Sequence, residues 1–105
     1  MLFIETPIFT RELCKFLQDE EYRALQLALL LRPTQGNIIP GSGGLRKIRW
    51  GTKGKGKRGG CRIIYYWDKS RETYYMLLAF QKSMQEDLTP GQQKILSKLV
   101  REEFK

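Results

Sequence analysis

Two runs of residues constrain what this chain can fold into. Cys61 to Trp67 and Thr73 to Gln81 are both rich in β-branched and aromatic residues, and only Asp68-Lys69-Ser70-Arg71-Glu72 lies between them. Such side chains suit a pleated, half-buried surface, and a short polar break between two such runs is a hairpin turn. The domain is therefore built around an antiparallel pair. Side chains alternate along a strand, so Arg62 shares a side with Ile64 and Tyr66. In the second run, the same rule groups Tyr74, Met76, Leu78 and Phe80, and Lys82 continues that side.

The remaining elements follow from spacing and caps. Leu2 to Glu5 reads as an opening strand. Thr6-Pro7 starts a helix, with Phe9, Leu13, Phe16 and Leu17 at helical spacing. Asp19 caps a second helix with an acidic first turn, whose Tyr22, Leu25, Ala28, Leu29 and Leu30 form a broad buried face before Arg32-Pro33 stops it. Two tightly joined helices predict an αα-hairpin. Residues 33–44 read as a loop in which Ile38-Ile39 tuck against the core. Leu45 to Trp50 reads as a strand with Leu45, Lys47 and Arg49 on one side. The glycine-rich tract Gly51 to Gly60 reads as a long hairpin connection. Thr89-Pro90-Gly91-Gln92 opens a closing helix with Ile95, Leu96, Leu99, Val100 and Phe104 as its apolar stripe. The expected architecture is one small α+β domain: an antiparallel meander covered on one face by an N-terminal helical hairpin and a C-terminal helix.

Charge has a place in this chain. Its 105 residues carry a formal net charge of +8, yet no Asp or Glu falls between Tyr22 and Trp67. Arg23, Arg32, Arg46, Lys47, Arg49, Lys53, Lys55, Lys57, Arg58 and Arg62 all fall there, so the basic middle is carried by a near-neutral scaffold. A polyanion is the partner such a segment suits, because glycines let the backbone approach a phosphate chain and cations neutralise it. Cations fixed within strands cost stability unless something binds them. The bland reading is a solvated loop with lysines for solubility.

Other classes are excluded or weakened. Gly51 and Gly56-Lys57 match the first part of a nucleotide-binding P-loop, but Arg58 stands where Ser or Thr should hold magnesium, and a strand follows where a helix should begin. Cys14 and Cys61 lack metal-ligand spacing and the chain has no histidine, so reduced thiols in a cytoplasmic protein and no metal or cofactor are expected. No apolar run reaches the ~20 residues of a membrane span, and no basic region precedes the apolar start. The aromatics Tyr65, Tyr66, Trp67, Tyr74, Tyr75 and Phe80 read as core pairs more readily than as base-stacking platforms.

Taken together, Gly43-Gly44-Leu45-Arg46-Lys47-Ile48-Arg49, the tract Lys53 to Gly60, Arg62-Ile63-Ile64-Tyr65-Tyr66, and Lys82 ahead of Asp87-Leu88 resemble the RelE superfamily of toxins from bacterial toxin-antitoxin pairs, within it the HigB-like branch. The resemblance covers nearly the whole chain. It implies a ribosome-dependent endoribonuclease that cuts translated messenger RNA, is silenced by a cognate antitoxin, expected to be a helix-turn-helix protein, and sits with it on operator DNA. By position, the resemblance assigns catalytic roles to Lys47, Arg49, Arg62 and Lys82. Arg46, Lys53, Lys55, Lys57 and Arg58 are assigned to gripping RNA. Ser83 and Thr89 stand where the best-known members carry arginine and tyrosine.

The implied reaction is attack of a ribose 2′-hydroxyl on the adjacent phosphate without a metal. Such a step needs a base, an acid and cations for the phosphorane. Without histidine, a lysine among other cations is a candidate base, Lys47 or Lys82 here, with Arg62 on the phosphorane. The rivals are a non-catalytic basic module that coats RNA or DNA, and a purely structural partner protein.

Overall fold

The structure is a computed structural model that describes residues 1–15, 17–52 and 56–104, excepting the side chains of residues 52 and 56–59. The elements in order are β1 (Leu2–Glu5), α1 (Pro7–Leu13), α2 (Asp19–Leu31), β2 (Asn37–Ile38), β3 (Arg46–Thr52), β4 (Gly56–Asp68), β5 (Thr73–Gln81) and α3 (Pro90–Leu99), which runs into a π-helical turn, Val100–Phe104. They form an α+β domain around one sheet in the order β1-β5-β4-β3-β2. The expected meander β3-β4-β5 is its centre. Two additions correct the expectation of a purely antiparallel sheet covered on one face: β1 joins β5 in parallel, and the short β2 pairs with β3 inside the segment read as a loop.

Helices cover both faces. On one, α1 and α2 bring Phe9, Leu13, Leu25 and Leu29 over Ile48, Cys61, Ile63, Tyr65, Tyr74 and Met76. On the other, the C-terminal turns bring Val100, Leu96, Leu99 and Phe104 over Leu45, Ile64, Leu78 and Phe80. Among the described residues α1 packs chiefly on β5 and meets α2 through the tilted Phe9 and Tyr22 rings, 5.9 Å apart, so the two helices are serial supports more than a packed hairpin. Leu30 and Ile95, expected in apolar faces, are instead exposed, as is Ile38, while Ile39 packs as expected.

Caps explain the helix starts. The Thr6 Oγ1 accepts from the Phe9 amide at 3.1 Å. Gln18, not Asp19, caps α2, and its amide donates to Glu21 Oε1 at 3.0 Å. Thr89 and Gln92 close the expected capping box on α3, with Gln92 N to Thr89 Oγ1 at 3.1 Å and Thr89 N to Gln92 Oε1 at 3.0 Å.

One irregularity matters for the site. In the β4–β5 ladder Ile64 pairs with Leu78 but Tyr65 pairs with Met76, which leaves Leu77 as the extra residue of a bulge. A bulge reverses the alternation on one side of it. Tyr74 and Met76 therefore join the α1/α2 cluster while Leu78 and Phe80 join the α3 cluster, a correction to the single side that strict alternation predicts. The Leu77 carbonyl is satisfied by the Thr6 hydroxyl, which donates to it at 2.8 Å.

The tract expected to be a long connection is also mostly sheet. β4 starts at Gly56, and Thr52 pairs with Gly56. Gly60 is required there: a Cβ on it would collide with the Trp50 carbonyl oxygen, so only a hydrogen lets the two strands meet.

Candidate functional site

The face under α3 carries three of the predicted cations, Lys47, Arg49 and Arg62. Arg49 and Arg62 are direct register partners on β3 and β4, and Lys47 lies opposite Ile64 on the same side. Arg62 pairs with Phe80 on its other flank. The Lys82 amide donates to the Gly60 carbonyl oxygen at 3.2 Å, and alternation from Phe80 carries Lys82 to the side of Arg62. The sheet thus brings Lys47, Arg49 and Arg62 onto one face, with Lys82 at its end.

Arg62 is the unusual member. It is 3% exposed, and its Nη1 reaches the Cys61 carbonyl oxygen at 3.5 Å. Among the described residues no carboxylate pairs with it. A guanidinium withdrawn from water without an anion in direct contact costs free energy that an arriving anion returns. Its neighbour Arg49 is exposed and Lys47 half-buried, so the face grades from a buried cation outward to solvent.

The all-cation surroundings expected for Lys47 are broken by one acid. Lys47 Nζ lies 3.1 Å from Asp87 Oδ2, the one ion pair among the described residues that joins positions distant in sequence. Partial burial alone would raise the Asp87 carboxyl, but the Leu88 amide at 2.8 Å, the Lys47 ammonium and the charge of Arg62 outweigh it and hold the carboxyl below the usual range. The segment that delivers Asp87 is itself braced, because Gln85 Nε2 donates to the Asp87 carbonyl at 2.6 Å and to Gln92 Oε1 at 2.7 Å.

Beside this pair a cleft of about 550 Å³ opens between β2 and the start of α3, lined among others by Asn37, Lys47, Arg49, Asp87, Leu88 and Gln93. Its outer wall is fixed by Tyr65, whose hydroxyl donates to the Pro33 carbonyl at 2.8 Å and accepts from the Gly36 amide at 3.0 Å. Gln93 Nε2 donates to the Pro40 carbonyl at 3.1 Å and ties α3 to the same wall. The volume admits a nucleotide-sized group, and the lining mixes cations, one carboxylate and amide side chains.

Other predicted residues fall elsewhere. Arg46 lies on the opposite side of β3, where its Nη1 donates to the carbonyls of Gly36 at 2.8 Å and Thr34 at 3.1 Å, so it supports the wall of the cleft and does not face into it. Lys53 and Lys55 lie outside the described residues, as do the side chains of Lys57 and Arg58. Tyr65 and Tyr74 are fully buried, and the Tyr75 ring stacks on Phe104 with centroids 3.8 Å apart. These rings are core, in keeping with the stronger reading of strand aromatics.

Reading by local pattern missed Asp87 as a member of the site. It stands 40 positions from Lys47, and although Asp87-Leu88 entered the family resemblance, no role was assigned to its carboxylate. Among the described residues no helix is long and apolar enough to cross a membrane. No family model matches the chain.

Proposed function

We propose that the protein is a metal-independent endoribonuclease that cuts messenger RNA on the ribosome, in the manner of the RelE-like toxins its sequence resembles. The observation that carries this reading is Arg62: a buried guanidinium with no carboxylate at ion-pair distance among the described residues, opposite Arg49, which lines the cleft together with Lys47. A planar, permanently charged fork suits a phosphorane and does not exchange protons.

The other roles follow from surroundings. Lys82 makes no ion pair with a described carboxylate, and it is the candidate base for the 2′-hydroxyl. Lys47, held by Asp87, orients the strand and assists the leaving 5′-oxygen. Arg49 adds charge at the exposed rim. A set this sparse relies on the ribosome to hold the messenger in an attack geometry. An antitoxin that covers the basic face and supplies acid is the expected regulator, with the pair bound to operator DNA.

The test is cleavage of a translated messenger in a reconstituted system, mapped by primer extension. Wild type should cut, and Arg62→Ala should cut about 10²- to 10³-fold more slowly, the size of effect that follows loss of one preorganised charge-stabilising group. A wild-type protein that never cuts on translating ribosomes, yet binds RNA with a steep salt dependence, is a non-catalytic binding module instead.

A further inference from the structure

Past Leu88 and Gln93, which line both spaces, the cleft continues into a second groove of about 390 Å³ along α3, lined also by Gly41, Pro90, Lys94, Ser97 and Arg101. Lys94, Ser97 and Arg101 recur at a spacing that puts them on one helical face. Lys94 and Arg101 are exposed, and neither pairs with a described carboxylate, whereas Lys98 on the neighbouring face pairs with Glu102 at 3.9 Å. Ser97 is 4% exposed, and its Oγ has no hydrogen-bond partner among the described residues. Buried hydroxyls are ordinarily bonded. The first turn of the helix is already capped by Thr89, so the groove's attraction lies in this flank and not in the helix end.

We propose that the groove binds a phosphodiester of the RNA strand whose scissile phosphate lies at Arg62. Lys94 and Arg101 neutralise it, and the Ser97 hydroxyl donates to it. The inference rests on the RNA reading above. Continuity with the cleft favours a nucleic-acid strand, since phosphates recur along a backbone and one chain can occupy both spaces. Gly41 leaves the rim open, because a Cβ there would meet nothing within 4 Å.

The experiment measures binding of a fluorescein-labelled single-stranded decanucleotide RNA by anisotropy across a potassium chloride series, beside ribosomal cleavage. For Lys94→Gln with Arg101→Gln, the slope of log K against log salt should shrink by about 0.7 for each phosphate that is no longer neutralised. Lys98→Gln, on the same helix outside the groove, should leave it unchanged. Ser97→Ala should weaken binding without lowering the midpoint of urea unfolding, because its hydroxyl has no partner among the described residues to lose. A double variant with the wild-type slope overturns the proposal and assigns the two cations to another partner, such as an acidic protein, even if cleavage proceeds. Equal slope losses for the double variant and Lys98→Gln also overturn it, since general charge then suffices. If the double variant loses slope while the wild-type protein does not cut, the groove stands and the nuclease reading falls.

Discussion

Arg49 and Arg62 face each other directly across β3 and β4, one exposed and the other 3% exposed. Like charges in such register are destabilising, and burial of one of them adds a desolvation cost. An anion bound between them would relieve both costs.

Arg62→Met should therefore separate stability from activity. Replacing a buried charge that has no described ion-pair partner by an apolar side chain of similar length is expected to leave stability unchanged or raise it by about 1 kcal/mol, while messenger cleavage falls at least about 100-fold. Urea unfolding and primer extension read the two arms. A large loss of stability would mean that Arg62 is chiefly a structural residue.

Asp87→Asn should release Lys47 to the substrate, so RNA affinity should rise and its salt dependence steepen. The pair is exposed on its Asp87 side, so solvent screening holds its contribution to at most about 0.5 kcal/mol. Its pH dependence has a definite sign. The folded-state carboxyl lies below its ordinary value of 3.8, so the pair's contribution is present above that value and lost as pH falls through the folded pKa. Acid titration of unfolding should show wild type losing a small advantage below about pH 4 that Asp87→Asn never has.

The two cysteines should react very differently. Cys14 is exposed. Burial pushes the Cys61 thiol up to about 12 despite the opposing charge of Arg62. Since the thiolate is the nucleophile, a maleimide at neutral pH should label one site rapidly, and peptide mapping should find it at Cys14. Cys61 should label only on unfolding.

Tyr65→Phe should cost about 1 to 3 kcal/mol. It leaves the Pro33 carbonyl and the Gly36 amide without the hydroxyl that serves both. Gly36→Ala should do comparable harm, since a Cβ there would stand 2.8 Å from the Tyr65 ring. Both changes loosen the outer wall of the cleft, so calorimetry should register a lower Tm for each, together with weaker RNA binding.

Local chemistry already determined much of this protein. The β-branched and aromatic runs made β4 and β5, Thr6-Pro7 and Thr89-Pro90 started their helices, and alternation along β3 set Lys47 and Arg49 on one side, because each depends only on neighbouring residues. It also concentrated the cations in the chain's middle. Tertiary structure alone decided that Lys47, Arg49 and Arg62 share a surface with Phe80 and Lys82. Had the register of Trp67 with Tyr74 run on without interruption, Phe80 would lie opposite Cys61, and the Lys82 position would belong to the α1/α2 side. The bulge at Leu77 reverses this, and it is held by the Thr6 hydroxyl, 71 positions away in sequence. The contact between Lys47 and Asp87 is of the same kind. Long-range hydrogen bonds and ion pairs form only when the sheet and its helices are in place, so no local window of sequence carries them.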